Sequence, residues 1–180
     1  MIKFAAFLGL LVLGASAPVA SSVVQDLGAA AAKPTVVLGS FDSRAVVLSY
    51  MRSARFEAEI ALVREEMGKA QSEGDEEHIK AIGQRMEARQ EVAHRQVFCA
   101  APAPEVLAML EDQLAGIAAE AGVDVIVSKW SLDYTRPGAR LVDLTDRLVQ
   151  AFDPDEETLE SVRQIVVTDP LPLDQLSHEH

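Results

Sequence analysis

The sequence predicts an α+β fold in which a long antiparallel helical hairpin, a coiled-coil arm, projects from a small β-rich body. Three observations carry this expectation. Phe56, Ile60, Val63, Met67 and Ala70 recur at spacings of 4, 3, 4 and 3, the a/d stripe of a coiled coil. A second stripe, Ile79, Ile82, Met86, Ala93 and Val97, follows the reversal signal Ser72-Glu73-Gly74-Asp75. Short apolar runs, Val36 to Phe41 and Val123 to Val127, flank these helices with the alternation of strands.

The elements follow in order. Lys3, an apolar run of about twelve residues from Phe4 to Ala15, and the small residues Ser16, Ala17, Ala20 and Ser21 open the chain. That run is shorter than the ~18 to 20 residues of a spanning helix, so residues 1–21 read as a cleaved export signal, with a retained anchor as the alternative. No cysteine there offers a lipid attachment. Residues 22–33 are Ala-rich and read as a flexible leader. Pro34 then opens a strand. Val36 and Leu38 share one face; Val37 and Phe41 share the other. Both faces are apolar, so the strand should be covered on both sides or lie in a subunit interface.

Asp42 or Ser43 can cap the next helix, because their side-chain oxygens accept an orphan N–H of its first turn. One helix is expected from Ser43 to Ser72, roughly 45 Å long at 1.5 Å per residue. A rod of that length cannot be buried in so small a domain and should project. Gly74 can adopt the left-handed conformation that ends a helix, and Asp75 can cap the return arm. The hairpin spans residues 43–98.

Pro102 and Pro104 in "CAAPAPE" interrupt the return arm, and Pro104 suits the first position of a fresh helix. That helix carries Leu107, Leu110, Leu114, Ile117 and Ala121 and stops at Gly122. Val123, Val125 and Val127 form a strand, with Trp130 to Tyr134 as its expected hairpin partner and Thr135 to Gly138 as a turn. Asp143 can cap a helix with Leu144, Leu148, Val149 and Phe152. Asp153 with Pro154 and Glu156 marks a last helix start. The body thus comprises residues 34–42 and 104–165, and residues 166–180 an irregular tail.

Composition narrows the function. The chain has 180 residues, 49% hydrophobic but only 5% aromatic, which suits one domain with an aliphatic, helix-rich interior. A net charge of −12 and a pI near 4.7 argue against nucleic acid and anionic membrane surfaces, both of which select clustered Lys and Arg. Cys99 is the single cysteine, so no intrachain disulfide forms. It either lies buried and inert or pairs with another chain. There is no Gly-rich phosphate loop and no C-x-x-C. His78 and His94 read as exposed hairpin residues. His178-Glu179-His180 is either a weak divalent-metal site or a frayed terminus. Asp153, Asp155, Glu156 and Glu157 are most simply a helix N-terminus. Trp130 is either a core plug or an exposed anchor. The expectation is a non-enzyme with no cofactor and no bound metal.

The order strand, helical hairpin, strand, short strand, terminal helix resembles the Skp/OmpH family of periplasmic chaperones. Two segments carry the likeness. "VVLGSFDSRAVVLSY" is similar to the family's opening strand running into its first long helix. "AGVDVIVSKWSLDYTRPGARLVDLTDRLVQAF" is similar to its closing segment. There Asp124, Val125, Val127, Tyr134, Asp143, Leu144, Thr145 and Leu148 occupy matching places.

The resemblance implies a homotrimer joined through its β-containing body, with hairpins surrounding a cavity. Unfolded outer-membrane or envelope proteins would be held there without ATP, in the periplasm of a Gram-negative bacterium. Val36, Val37, Leu38, Val125 and Val127 are the expected oligomerisation residues. Phe56, Ile60, Met67, Ile79, Ile82 and Met86 are the expected client contacts, with packing of the two arms against each other as the alternative use. Met67 and Met86 suit adaptable contacts because thioether side chains are flexible. A non-catalytic scaffold or adaptor built on the same rod is the competing function. The sequence departs from the family in a shorter hairpin, in its two prolines, and in the mixed-to-acidic tip "GKAQSEGDEEHIKAIG". Membrane insertion after signal cleavage and nucleic-acid binding are not expected.

Overall fold

In a computed structural model of the chain, residues 35–176 are described. The expected signal, the leader and the terminal His178 and His180 lie outside them. The fold is α+β and mostly helical. It contains one small sheet of three parallel strands, β1 (Leu38–Phe41), β2 (Val125–Ser128) and β3 (Leu141–Asp143), in the order β2-β1-β3. The body is therefore less β-rich than expected.

The register places Leu38 beside Val125 and Leu141, and Gly39 beside Ile126 and Val142. Successive residues point to opposite faces. The Gly39 face packs on the helices: Ile126 and Val142 join the core, and a Cβ at Gly39 would sit 2.4 Å from Leu144 Cδ1. Glycine at this position lets the central strand approach its covering helix.

Asp42 follows β1 and caps α1 (Ser43–Met51) by accepting the Arg44 N–H at 3.0 Å. The helix stops there. Ser53 Oγ donates to the Tyr50 carbonyl at 2.6 Å, accepts the Phe56 N–H, and starts α2 (Ala54–Glu73). The expected unbroken arm from Ser43 to Ser72 is thus two helices. The reason is burial: Ala45, Val46, Val47 and Tyr50 lie in the core, whereas Ala70 is the only buried residue of α2. Residues 43–51 pack into the core.

Gly74 closes α2 with φ +70°, a conformation glycine adopts without the Cβ penalty of other residues. Asp75 accepts the His78 N–H and starts α3 (Glu76–Phe98). Glu59 pairs with Arg89 at 2.7 Å, and Glu66 pairs with both Arg85 and His78. Pro104 opens α4 (Pro104–Ala108) at its first turn. The expected single helix to Ala121 breaks at Leu110, which is drawn into the core, and α5 spans Glu111–Ala121. Arg55 donates to the Met109 carbonyl at this break. Gly122, with φ +63°, ends α5.

After β2 the chain does not form a hairpin. Lys129–Ser131 is a 3₁₀ turn, and Tyr134 is exposed. Trp130 explains the departure: its indole N–H donates to Asp42 Oδ1 at 3.0 Å, and Lys129 Nζ lies 2.9 Å from Asp42 Oδ2. Leaving the sheet brings both donors onto a buried carboxylate, and β3 then adds to the far side of β1, parallel to it. Trp130 is neither a core plug nor a free anchor, since its partly exposed ring lies beside the cations of Arg44 and Lys129.

Asp143 accepts the Thr145 N–H at the start of α6 (Thr145–Gln150), which buries Leu148 and Val149. Asp155, rather than Asp153, caps α7 (Glu156–Val166). Asp153 instead has φ +51° in the preceding turn. The tail therefore begins after Val166, one residue later than expected. It contains a 3₁₀ turn at Leu173–Gln175, and Leu171 N–H donates to the Phe98 carbonyl.

Candidate functional site: an apolar groove and an open sheet face

Two adjoining cavities of about 430 and 460 Å³ meet at Met51, Phe56, Arg89 and Ala93. The break between α1 and α2 creates them. It turns Phe56 toward the end of α1, while Arg89 and Ala93 face it from α3. One compartment continues past Val92 to Val106 and Met109; the other continues to Met86 and Glu87. Their size is within the ~300 to 1,000 Å³ of ligand sites, and the lining is predominantly apolar.

A polar network braces the waist of this groove. Tyr50 Oη donates to Glu59 at 2.9 Å, and Arg89 donates to both Glu59 at 2.7 Å and Tyr50 Oη at 3.2 Å. The Arg89 guanidinium also lies 4.8 Å from the Phe56 ring centre, and Tyr50 meets Phe56 edge-on at 5.4 Å. Burial and the Glu59 hydrogen bond raise the Tyr50 phenol above its ordinary value. Burial would raise Glu59, but hydrogen bonds from Arg89 and Tyr50 outweigh it and hold the carboxyl below its usual range. The site thus presents an apolar floor crossed by one neutralised ion pair.

Of the six expected client contacts, Phe56 and Met86 line the groove. Ile60, Met67 and Ile79 are half-buried along α2 and α3 and do not line it. Ile82 is fully buried, which removes it from any contact surface and assigns it to packing. The sequence reading missed Met51, Met109, Tyr50, Glu59 and Arg89. Ser53, a residue type favoured at helix starts, was the only local signal for the break that gathers them.

The second face of the sheet is partly exposed among the described residues, with Ser40 buried near its centre. Leu38 and Val127 are half-buried, and Val36, Val125 and Leu141 are exposed, the latter two at 44% and 46%. Four of the five expected oligomerisation residues are on this surface. Val37 is the exception, since it packs against the core. Leu141 joins the patch through its register with Leu38.

Among the described residues, no three His, Cys, Asp or Glu side chains are grouped to hold a metal ion. No described helix is long and apolar enough to cross a membrane. Cys99 is a partly buried free thiol at the end of α3. His94 lies edge-on to Phe98. Comparison with protein-family models, curated proteins and solved structures finds no match to this chain.

Proposed function

We propose that the chain is an ATP-independent, holdase-like chaperone of the cell envelope. It holds unfolded outer-membrane or envelope proteins between the helical arms of a homotrimer. The apolar groove where α1, α2 and α3 meet carries this reading, because a shallow surface of methionine and phenylalanine suits varied unfolded segments. In this reading α2 and α3 form an antiparallel arm that projects from the body. At 20 and 23 residues they are roughly 30 to 35 Å long, and the first is shorter than the arm expected from Ser43 to Ser72. Neighbouring copies cover the open sheet face, and an export signal delivers the chain to the periplasm. Weak contacts repeated across three arms lengthen the residence of a client by multivalency.

The test is to dilute a urea-unfolded outer-membrane β-barrel into buffer containing the purified protein and follow light scattering. Suppressed aggregation at a few-fold molar excess of trimer is the expected result. Unchanged aggregation, or a monomeric mass in solution, removes the proposal. The burial of Ile82 favours a second reading, in which the helix pair is a rigid scaffold for an envelope partner and binds no unfolded client. A folded, trimeric protein that leaves aggregation unchanged is the outcome that reading expects.

A further inference from the structure

The charges around the groove are distributed unevenly. Arg89, the cation lining both compartments, is committed to Glu59 at 2.7 Å and to the Phe56 ring. Arg55, nearby, is held on the Met109 carbonyl. Two further carboxylates remain, one in each compartment: Glu87 beside Met86, and Glu105 beside Val106 and Met109. Both are exposed, and neither has a salt-bridge partner among the described residues. Glu105 accepts a hydrogen bond from the neutral Gln96 amide, which leaves its charge uncompensated. The groove is therefore an apolar trough with an unmatched negative charge in each half, on a chain of net charge −12.

We infer that this groove selects apolar polypeptide segments flanked by Lys or Arg. The apolar side chains lie on Met51, Phe56 and Met86, while the flanking cations meet Glu87 and Glu105. An acidic segment with the same core is repelled at both ends. The inference rests on the chaperone reading and adds to it a rule for which stretches of a client are held.

The experiment compares two fluorescent peptides by anisotropy against the full-length mature protein. Both have the same Leu/Val/Phe core; one is flanked by lysines and the other by glutamates. At low ionic strength the lysine-flanked peptide should bind about three- to tenfold more tightly, the size expected of two exposed ion pairs. The preference should collapse in high salt, where exposed charges are screened. Glu87→Lys combined with Glu105→Lys, both at exposed positions, should reverse it, with circular dichroism confirming the helical content.

Equal affinities at low salt overturn the charge rule. They leave the chaperone reading intact if Met86→Asp weakens both peptides alike. A preference that survives the double substitution assigns the attraction to overall charge and also overturns the rule. Binding of neither peptide removes the groove as a site, and the aggregation assay then judges the chaperone reading separately.

Discussion

The carboxylate of Asp42 and the guanidinium of Arg44 meet at 2.9 Å with both side chains almost wholly withdrawn from solvent. Arg44 extends from there to the carbonyls of Ile165 and Thr168, fastening the end of α7 to the end of β1. Lys129 and Trp130 supply Asp42 with two further donors. One carboxylate therefore joins the sheet, the turn after β2 and the last helix.

Breaking this junction should be costly. Asp42→Ala leaves the Arg44 cation buried without its counter-ion, a change expected to cost about 3 to 5 kcal/mol. Urea unfolding followed by circular dichroism measures it. A loss below about 1 kcal/mol would mean that the junction behaves as a surface ion pair.

Acid should weaken the same junction in a defined window. Burial would raise the Asp42 pKa, but donors from Arg44, Lys129 and Trp130 lower it from 3.8 to about 2. The folded protein then binds this proton less readily than the unfolded chain, so the contribution is complete above the unfolded value and is lost as pH falls toward about 2. Asp42→Asn should flatten that part of the stability profile. An unaltered slope between these pH values would contradict the assignment.

Tyr50 reports on the groove. The chain has two tyrosines, so Tyr134→Phe leaves a single phenol for absorbance titration. Its midpoint should lie above the ordinary 10.0 because of burial and the neighbouring Glu59. Glu59→Gln should move it downward. A midpoint that is insensitive to this substitution would mean that the Tyr50–Glu59 bond does not persist in solution.

Ser53 tests the break between α1 and α2. Ser53→Ala removes the acceptor for the Phe56 N–H and the donor to the Tyr50 carbonyl. The expected loss is about 1 kcal/mol, read from the urea midpoint. A neutral result would argue that the break between α1 and α2 is held by core packing alone.

The open sheet face should control assembly. Val125→Lys with Leu141→Lys changes two exposed positions in register with Leu38. The proposed trimer is expected to fall to monomer with helical content retained, measured by light scattering after size exclusion. A trimer that survives both lysines would place the subunit interface elsewhere.

The local punctuation of the chain was legible in its residues. Asp42, Gly74, Asp75, Pro104 and Gly122 all stand at helix boundaries, as their types suggest. Each satisfies or omits backbone groups within a few residues of itself, so a short window contains the cause. Ser53 and Leu110 were harder to read. Ser53 lies inside one expected helix and Leu110 inside a continuous apolar periodicity, and what breaks the helix there is the burial of α1 and of Leu110, which periodicity does not record.

Amino-acid order alone determined the two apolar stripes on either side of Gly74 and the acidic net charge, and it raised the expectation of an export signal. The three-dimensional arrangement settled the parallel order of the strands, the place of α1 in the core, and the meeting of Met51, Phe56 and Met86 in one groove. The physical reason is range. Trp130 donates to the Asp42 carboxylate across 88 positions, and the Asp42 backbone N–H donates to Thr145 Oγ1 across 103. A buried carboxylate must gather donors from wherever the chain can bring them, and no neighbouring residue announces which distant ones will arrive.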